Sequence, residues 1–230
     1  DIENSVKQAV ELENAGCQII RFAIPNEQAL DLIEPIKKAT TVPLVADIHF
    51  DYRIALRAID AGIDKVRINP GNIGAKWKTQ EIVKKAKDMG IAIRIGLNSG
   101  SLPKTERNIS MSELMVDTAL EYISWFEELG FYNTVVSLKA SDSQTSYEAA
   151  RLFASKSDYP LHLGVTEAGG VVPSCVRTTW TLGRLLSQGI GSTIRYSITG
   201  SIENEVYAGV ELLRTLGLRN GGVRIVSCPM

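Results

Sequence analysis

Cysteine is scarce in this chain: Cys17, Cys175 and Cys228 are the three it has, far apart in sequence. Scattered thiols exclude a disulfide framework and make a reducing compartment the expectation. Histidine is scarcer still. His49 and His162 form no HxxxH pair, so that kind of zinc motif is absent. Aromatic residues make up 7%, and Trp77, Trp125 and Trp180 all fall in helical stretches, where packing is the expected use. Neither sign of charge dominates, with 25 Lys and Arg against 26 Asp and Glu and a net charge of −1. This excludes a global basic field of the kind that attracts nucleic acid or an anionic membrane. No apolar run approaches the roughly 20 residues of a membrane-spanning helix, and no strand-like run is followed by GxGxxG. The chain begins at Asp1 and shows no signal or targeting segment, which by itself excludes nothing.

What is present is a rhythm. In 230 residues with 19 glycines, short β-branched runs alternate with amphipathic helical stretches. Helices are predicted over 1–15, with Asp1 as N-cap, then near 27–39, 52–60 and 77–89. Further helices are predicted from Ser110 to about 129 and near 144–156, 175–188 and 202–216. Strands are predicted over 17–25, 42–50, 64–71, 91–100, 133–141, 159–170, 192–200 and 222–228. Ser110 and Glu113 have capping-box spacing, and Ala15-Gly16, Ala61-Gly62 and Leu129-Gly130 read as helix C-caps. Strands separated by single helices must connect as right-handed parallel crossovers. An open doubly wound sheet gathers its chemistry at one switch point. Here polar residues recur at the C-terminal end of every strand, which favours an α/β TIM (β/α)8 barrel. Run 222–228 can be its eighth strand, or the first strand precedes Asp1.

Those strand ends define a candidate site: Arg21; Asp47 and His49; Arg67 and Asn69; Arg94 and Asn98; Lys139; Thr166 and Glu167; Arg195 and Ser197. Five basic residues on five strands, with Asp47 and Glu167 the opposing charges at the strand ends, imply a strongly anionic ligand such as a phosphate or carboxylate. Asp47 and His49, two residues apart, can share a face and handle protons. With Glu167 they can also be read as a metal site, a weaker reading. His162, at the start of its strand, is expected to be structural. The stretches Pro70–Gly74 and Gly169-Gly170 can present backbone N–H groups to an anion or simply turn. Cys17 is expected in the core, and Cys175 near the site without an adjacent histidine. Cys228-Pro229 can open a CPxC-type metal or cluster motif.

The strings VPLVADIHFDYRIAL (42–56), VRINPGNIG (66–74), IRIGLNSGSL (93–102), VSLKAS (136–141), PLHLGVTEAGG (160–170) and GIGSTIRYSITG (189–200) closely resemble the bacterial GcpE family of hydroxymethylbutenyl diphosphate synthases. The resemblance runs over essentially the whole chain. It implies a TIM barrel followed by a smaller α/β domain carrying a [4Fe–4S] cluster, with residues 1–218 in the barrel and 219–230 opening the second domain. It implies reductive ring opening of 2-C-methyl-D-erythritol 2,4-cyclodiphosphate with two electrons from ferredoxin or flavodoxin, in the non-mevalonate isoprenoid pathway. Arg21, Asp47, His49, Arg67, Asn69, Arg94, Asn98, Lys139, Arg195 and Ser197 match the substrate-binding mouth. Glu167, beside Thr166, matches the acidic residue that assists protonation, and Cys228 the first cluster ligand.

The resemblance also implies a homodimer, a bacterial cytoplasmic setting (or a plastid one), and a first strand lying before Asp1, so that this polypeptide alone is expected to lack reductase activity. Two departures stand out. Ser192 occupies a position where the family often has an acidic residue, and Arg177 in VVPSCVRTTW stands where a lysine is usual. Two other readings compete: a barrel transferase or aldolase acting on a phosphorylated small molecule, with Lys139 as a Schiff-base nucleophile, and a barrel scaffold without activity.

Overall fold

The structure, a computed structural model, describes residues 1–103 and 105–220. The expected strand 222–228, with Cys228, lies outside them, as does most of the proposed second domain. Helix α1 (Ile2–Asn14) leads into β1 (Ile20–Ala23), and a 3-10 turn (Glu27–Leu32) precedes α2 (Ile33–Ala39). Then follow β2 (Leu44–Asp47), α3 (Tyr52–Asp60), β3 (Lys65–Ile68), α4 (Pro70–Ile73), α5 (Lys76–Met89) and β4 (Ala92–Asn98). The second half runs α6 (Met111–Glu127), β5 (Thr134–Lys139), α7 (Ser143–Ala154), β6 (His162–Leu163), α8 (Val171–Leu186), β7 (Thr193–Ile194) and α9 (Glu203–Thr215).

Strands β1 to β5 form one parallel sheet in chain order, and β6 pairs in parallel with β7. A bridge from Val136 to Leu161 joins the two groups. Residues one apart in a strand face opposite sides. Ala46, Val66, Ile93, Ile95 and Val136 therefore turn outward into a buried layer with Ile59, Ile82, Val83, Val116, Phe126 and Phe153 of the helices. The opposite faces turn into the barrel, and there the polar residues collect. Among the described residues β1 and β7 are not hydrogen-bonded to each other. A cavity of about 580 Å³ lies between them, lined by Leu12, Ile20, Arg21, Ile194, Arg195 and Val206.

The helix termini follow the local chemistry. Asp1 caps α1 by accepting from the Glu3 amide, and Gly16, Gly62 and Gly130 take the positive φ expected of helix C-caps. Ser110 and Glu113 close a reciprocal capping box on α6. Replacing Ser110 by Ala removes the acceptor for the Glu113 amide. The expected loss is about 1 kcal/mol of stability, read as a fall of roughly 2–4 °C in thermal midpoint for a chain of this size.

Several expected boundaries move. Strands β6 and β7 shrink to two residues each, although single backbone hydrogen bonds continue beyond them, from Thr166 N to Ala140 O and from Arg195 N to Leu163 O. Pro70–Ile73 is a helical turn rather than an open glycine loop, since Asn69 caps it and Pro70 is preset for the first helical position. Helix α8 starts at Val171, four residues before the expected start. Trp77 and Trp180 are 53% and 43% exposed, so they pack on the surface rather than in the core. Trp77 meets Tyr52 edge-on, and Trp180 meets Tyr147 the same way.

Candidate functional site

Strand register decides which polar side chains meet. Asp47 lies opposite Arg67, Arg67 opposite Arg94, and Asn98 opposite Lys139. Arg21 shares a strand face with Ala23, the partner of Asp47. Asp47, 2% exposed, is the hub. Arg21 Nη1 donates to Asp47 Oδ2, and Arg67 Nη1 donates to Oδ1 at 2.9 Å. Burial opposes ionisation of this carboxyl. The Arg67 and Arg21 guanidiniums outweigh that effect and hold it below the usual carboxylate range. With both oxygens engaged, Asp47 holds two arginines rather than carrying protons. His49, half-exposed, places Nε2 4.0 Å from Asp47 Oδ1, outside hydrogen-bond reach.

Arg67 is fixed at its other end as well, where Nη2 donates to the Gly96 carbonyl at 2.8 Å. A Cβ on Gly96 would overlap Arg67 Nε and lie 2.8 Å from its Cζ, so the missing side chain is the space that Arg67 occupies. Gly164 does the same for Lys139, since a Cβ there would meet the lysine Nζ at 3.0 Å and the Arg195 carbonyl at 2.7 Å.

Arg94 and Lys139 are uncompensated cations, as is half-buried Lys65 at the start of β3, which shares the strand face of Arg67 and lies beside Arg94 in the interior. Among the described residues none of the three has an ion-pair partner, and Arg94 Nε is buried without an acceptor. Burial, reinforced by Arg21 and Arg67, pushes Arg94 down to about 9, which leaves it charged at neutral pH. Burial drives the Lys139 amine well below its ordinary value, and Arg94, Arg195, Arg21 and Arg67 add repulsion. Beneath them His162 is held neutral by burial and by Lys139, with Nδ1 2.8 Å from Thr193 Oγ1. Its Nε2 is buried without a partner among the described residues.

The remaining strand-end residues form the rim. Asn69 is committed to the loops: its Oδ1 accepts from the Gly71 amide at 3.1 Å, and its Nδ2 donates to Ser101 Oγ at 2.9 Å. Ser101 in turn donates to the Asn98 carbonyl, tying the ends of β3 and β4 together. Thr166 and Glu167 lie beyond β6, where Glu167 takes a φ of 53°, an uncommon conformation for a residue with a side chain. Neighbouring backbone holds the bend. Thr166 N donates to Ala140 O at 3.1 Å, Thr199 N to Gly169 O at 2.9 Å, and Arg177 Nη1 to Ala168 O at 3.3 Å. The departure at residue 177 thus touches the Glu167 loop from behind. Ser197 is placed by its carbonyl, which accepts from buried Ser174 Oγ at 2.9 Å.

One residue that strand-end reasoning missed completes the set. Glu205, in the first turn of α9, pairs with Arg195 through two hydrogen bonds of 3.1 and 3.0 Å. No sequence signal marks it, because it lies on the helix after the strand. Asp47, His49 and Glu167 do not gather as a metal site. Among the described residues no group of three His, Cys, Asp or Glu side chains is placed to hold a metal. Cys17 lies half-buried beside the core rather than within it and donates to Ile19 O, and Cys175 packs against the core from α8.

Six cations, Lys65 included, face two carboxylates in this interior, and the chemistry it suits is the capture of a multiply charged anion. A parallel α/β barrel with its polar side chains gathered at the strand ends is a TIM-barrel domain. The chain belongs to the GcpE family: the model of the GcpE TIM-barrel domain matches residues 1–210. It is 49% identical over 232 residues to the 4-hydroxy-3-methylbut-2-en-1-yl diphosphate synthase (flavodoxin) of Thermodesulfovibrio yellowstonii, a match covering 100% of this chain and 66% of that protein. It is 46% identical to the enzyme of the same name from Symbiobacterium thermophilum, covering 100% of this chain and 63% of the relative. The chain thus spans just under two thirds of the curated relatives it matches. Among solved structures, Xanthomonas albilineans dihydropteroate synthase with 4-aminobenzoic acid superposes with a TM-score of 0.69 at 14% identity, over 94% of this chain and 84% of that one. The Anaplasma phagocytophilum dihydropteroate synthase with bound 6-hydroxymethylpterin-monophosphate gives 0.63 at 12%, over 94% and 91%. At that identity these structures share the fold alone.

Proposed function

We propose that this barrel is the substrate-binding part of a 4-hydroxy-3-methylbut-2-en-1-yl diphosphate synthase acting on 2-C-methyl-D-erythritol 2,4-cyclodiphosphate. One observation carries the reading: Arg94 and Lys139 lie inside the barrel without a carboxylate partner among the described residues, beside three further arginines. Unpaired cations in that setting destabilise the empty protein, and a diphosphate supplies the missing negative charge. Arg21, Arg67, Arg94, Lys139 and Arg195 bind and orient the diphosphate. Asn98 and Ser197 meet its oxygens or hydroxyls at the rim. Glu167, held in its strained bend, is the proton donor on the mouth side.

The overall change adds two electrons and two protons, opens a ring C–O bond and releases water. Side chains of the described residues cannot supply electrons, and they do not fit an iron–sulfur cluster, since neither Cys17 nor Cys175 belongs to a ligand group. The reductive reading therefore needs electrons from beyond them, with flavodoxin, named for the relatives, as donor.

The test uses the full-length protein, supplied with a reduced flavodoxin or dithionite. Turnover of the cyclodiphosphate is expected. A protein that binds pyrophosphate but ignores the cyclodiphosphate overturns the substrate assignment. Replacing Lys139 by Met separates binding from folding. Affinity for pyrophosphate is expected to fall about 10–100-fold, the scale of a lost charge-assisted contact. The thermal midpoint of the ligand-free protein is expected to rise by a few degrees, because an unpaired amine leaves the interior. A second reading draws on the same lowered amine, since a neutral lysine can condense with a carbonyl. Borohydride trapping at Lys139 with a phosphorylated carbonyl compound would favour it.

A further inference from the structure

Arg195 differs from the other interior cations in having a carboxylate to itself. Glu205 Oε2 accepts from Arg195 Nε at 3.1 Å and Oε1 accepts from Nη2 at 3.0 Å. The pair is therefore bidentate along one edge of the guanidinium. That arrangement fixes the plane and rotation of the group, not merely its distance, and it leaves Nη1 without a protein partner among the described residues. The Glu205 side chain is 15% exposed, so solvent screens the pair less than it does a surface bridge.

Glu205 also reaches the backbone. Its Oε1 accepts from the Ile198 amide at 3.0 Å, while Ser174 Oγ holds the Ser197 carbonyl from the other side. Ser197 is thereby clasped between two tethers, one of them shared with Arg195. Without Glu205, Arg195 would stand among Arg21, Arg67, Arg94 and Lys139 with only repulsion to orient it, and its long side chain would leave the group.

We infer that Glu205 is a positioning residue, holding the Arg195 guanidinium and the Ser197 segment as one unit against the bound diphosphate. The inference rests on the proposed function for the identity of the ligand, but its geometry does not depend on which diphosphate binds.

The test is made in the full-length protein with Glu205→Gln, Arg195→Lys and the double variant. Gln keeps an oxygen for the Ile198 amide but sets an NH₂ against Arg195 Nε, so the fold is retained while the fork is broken. Pyrophosphate affinity is measured by calorimetry, and kcat and KM with the cyclodiphosphate. Glu205→Gln is expected to weaken pyrophosphate binding about tenfold or more and to raise KM by a similar factor, from the loss of a preorganised charged contact. Its thermal midpoint should stay within a few degrees of wild type. In the Arg195→Lys background, where no fork exists, Glu205→Gln should add little.

Unchanged pyrophosphate affinity in Glu205→Gln overturns the inference, and so does full additivity of the two substitutions, which would mark Glu205 as merely structural. If Glu205→Gln proves unstable, Arg195→Lys and Glu205→Asp take its place, and equal pyrophosphate affinity in both and in wild type overturns the inference. A wild-type protein that binds pyrophosphate with the expected dependence on Glu205, yet does not turn over the cyclodiphosphate, leaves the positioning role standing and removes the substrate. A wild type that does not bind pyrophosphate removes both.

Discussion

Replacing Asp47 by Asn is expected to lower the unfolding free energy by about 3–5 kcal/mol, the scale on which removing one partner strands buried charge. Two guanidiniums depend on this carboxylate, and its side chain and that of Arg67 are 3% and 10% exposed. An amide is neutral and offers one acceptor where the carboxylate offers two. Urea denaturation at neutral pH should show the loss as a lower midpoint with an unchanged slope. The same pair of proteins gives a signed pH test. The arginines depress the Asp47 pKa in the folded state, so its stabilising contribution is complete above the unfolded-state value of about 3.9. That contribution declines as pH falls through the lower folded value. The gap between wild type and Asp47→Asn should therefore be constant from pH 5 to pH 7 and narrow below about pH 4. A gap that widens in acid would place the source of stability elsewhere.

The alternation of strand and helix was legible because each element carries its own period, and the ends of α1 and α6 because their caps are local chemistry. The interior cations were legible for a related reason. A strand end is a fixed place in a parallel barrel, so a charge at the end of a strand run already predicts its neighbours. Arg67 and Arg94 meet as register requires.

What was not legible depends on distance in three dimensions. Glu205 belongs to the site because α9 folds back over β7, and nothing in GSIENEV distinguishes it from Glu203, whose side chain stays at the surface with Ser201. Asn69 stands at a strand end among the candidate ligand contacts, and its side chain caps a turn and bridges to Ser101, a pairing that the strand pattern does not reveal. The Asn-Pro-Gly sequence that suggests an anion loop also encodes a capped helical start, and the Asn69 cap with Pro70 at the first helical position selects the latter. The lengths of β6 and β7 were overestimated because β propensity reports side-chain shape, whereas a strand also needs a hydrogen-bonded neighbour. β7 has that neighbour only on the β6 side among the described residues.

Glycine in the middle of β4 looks like a weakness in a strand, and the structure gives it a purpose that leads to the second large effect. Gly96→Ala should cost about 2–4 kcal/mol, combining overpacking with the loss of Arg67's anchored hydrogen bonds. The alanine methyl and the Arg67 guanidinium require the same space, and Arg67 has no slack, being held by Asp47 at one corner and the Gly96 carbonyl at the other. Pyrophosphate affinity should fall with stability, by roughly 10–100-fold, because the displaced group is a binding cation. Gly100→Ala supplies the control just beyond the same strand, since a Cβ there has nothing within 4 Å. The decisive comparison is Gly96→Ala in an Arg67→Ala background. With the guanidinium gone, the methyl enters space already vacated, and its cost should shrink to a fraction of that in wild type. An undiminished cost would mean that Gly96 serves the strand backbone, and that the fit between the missing side chain and Arg67 is not what stabilises this layer of the barrel.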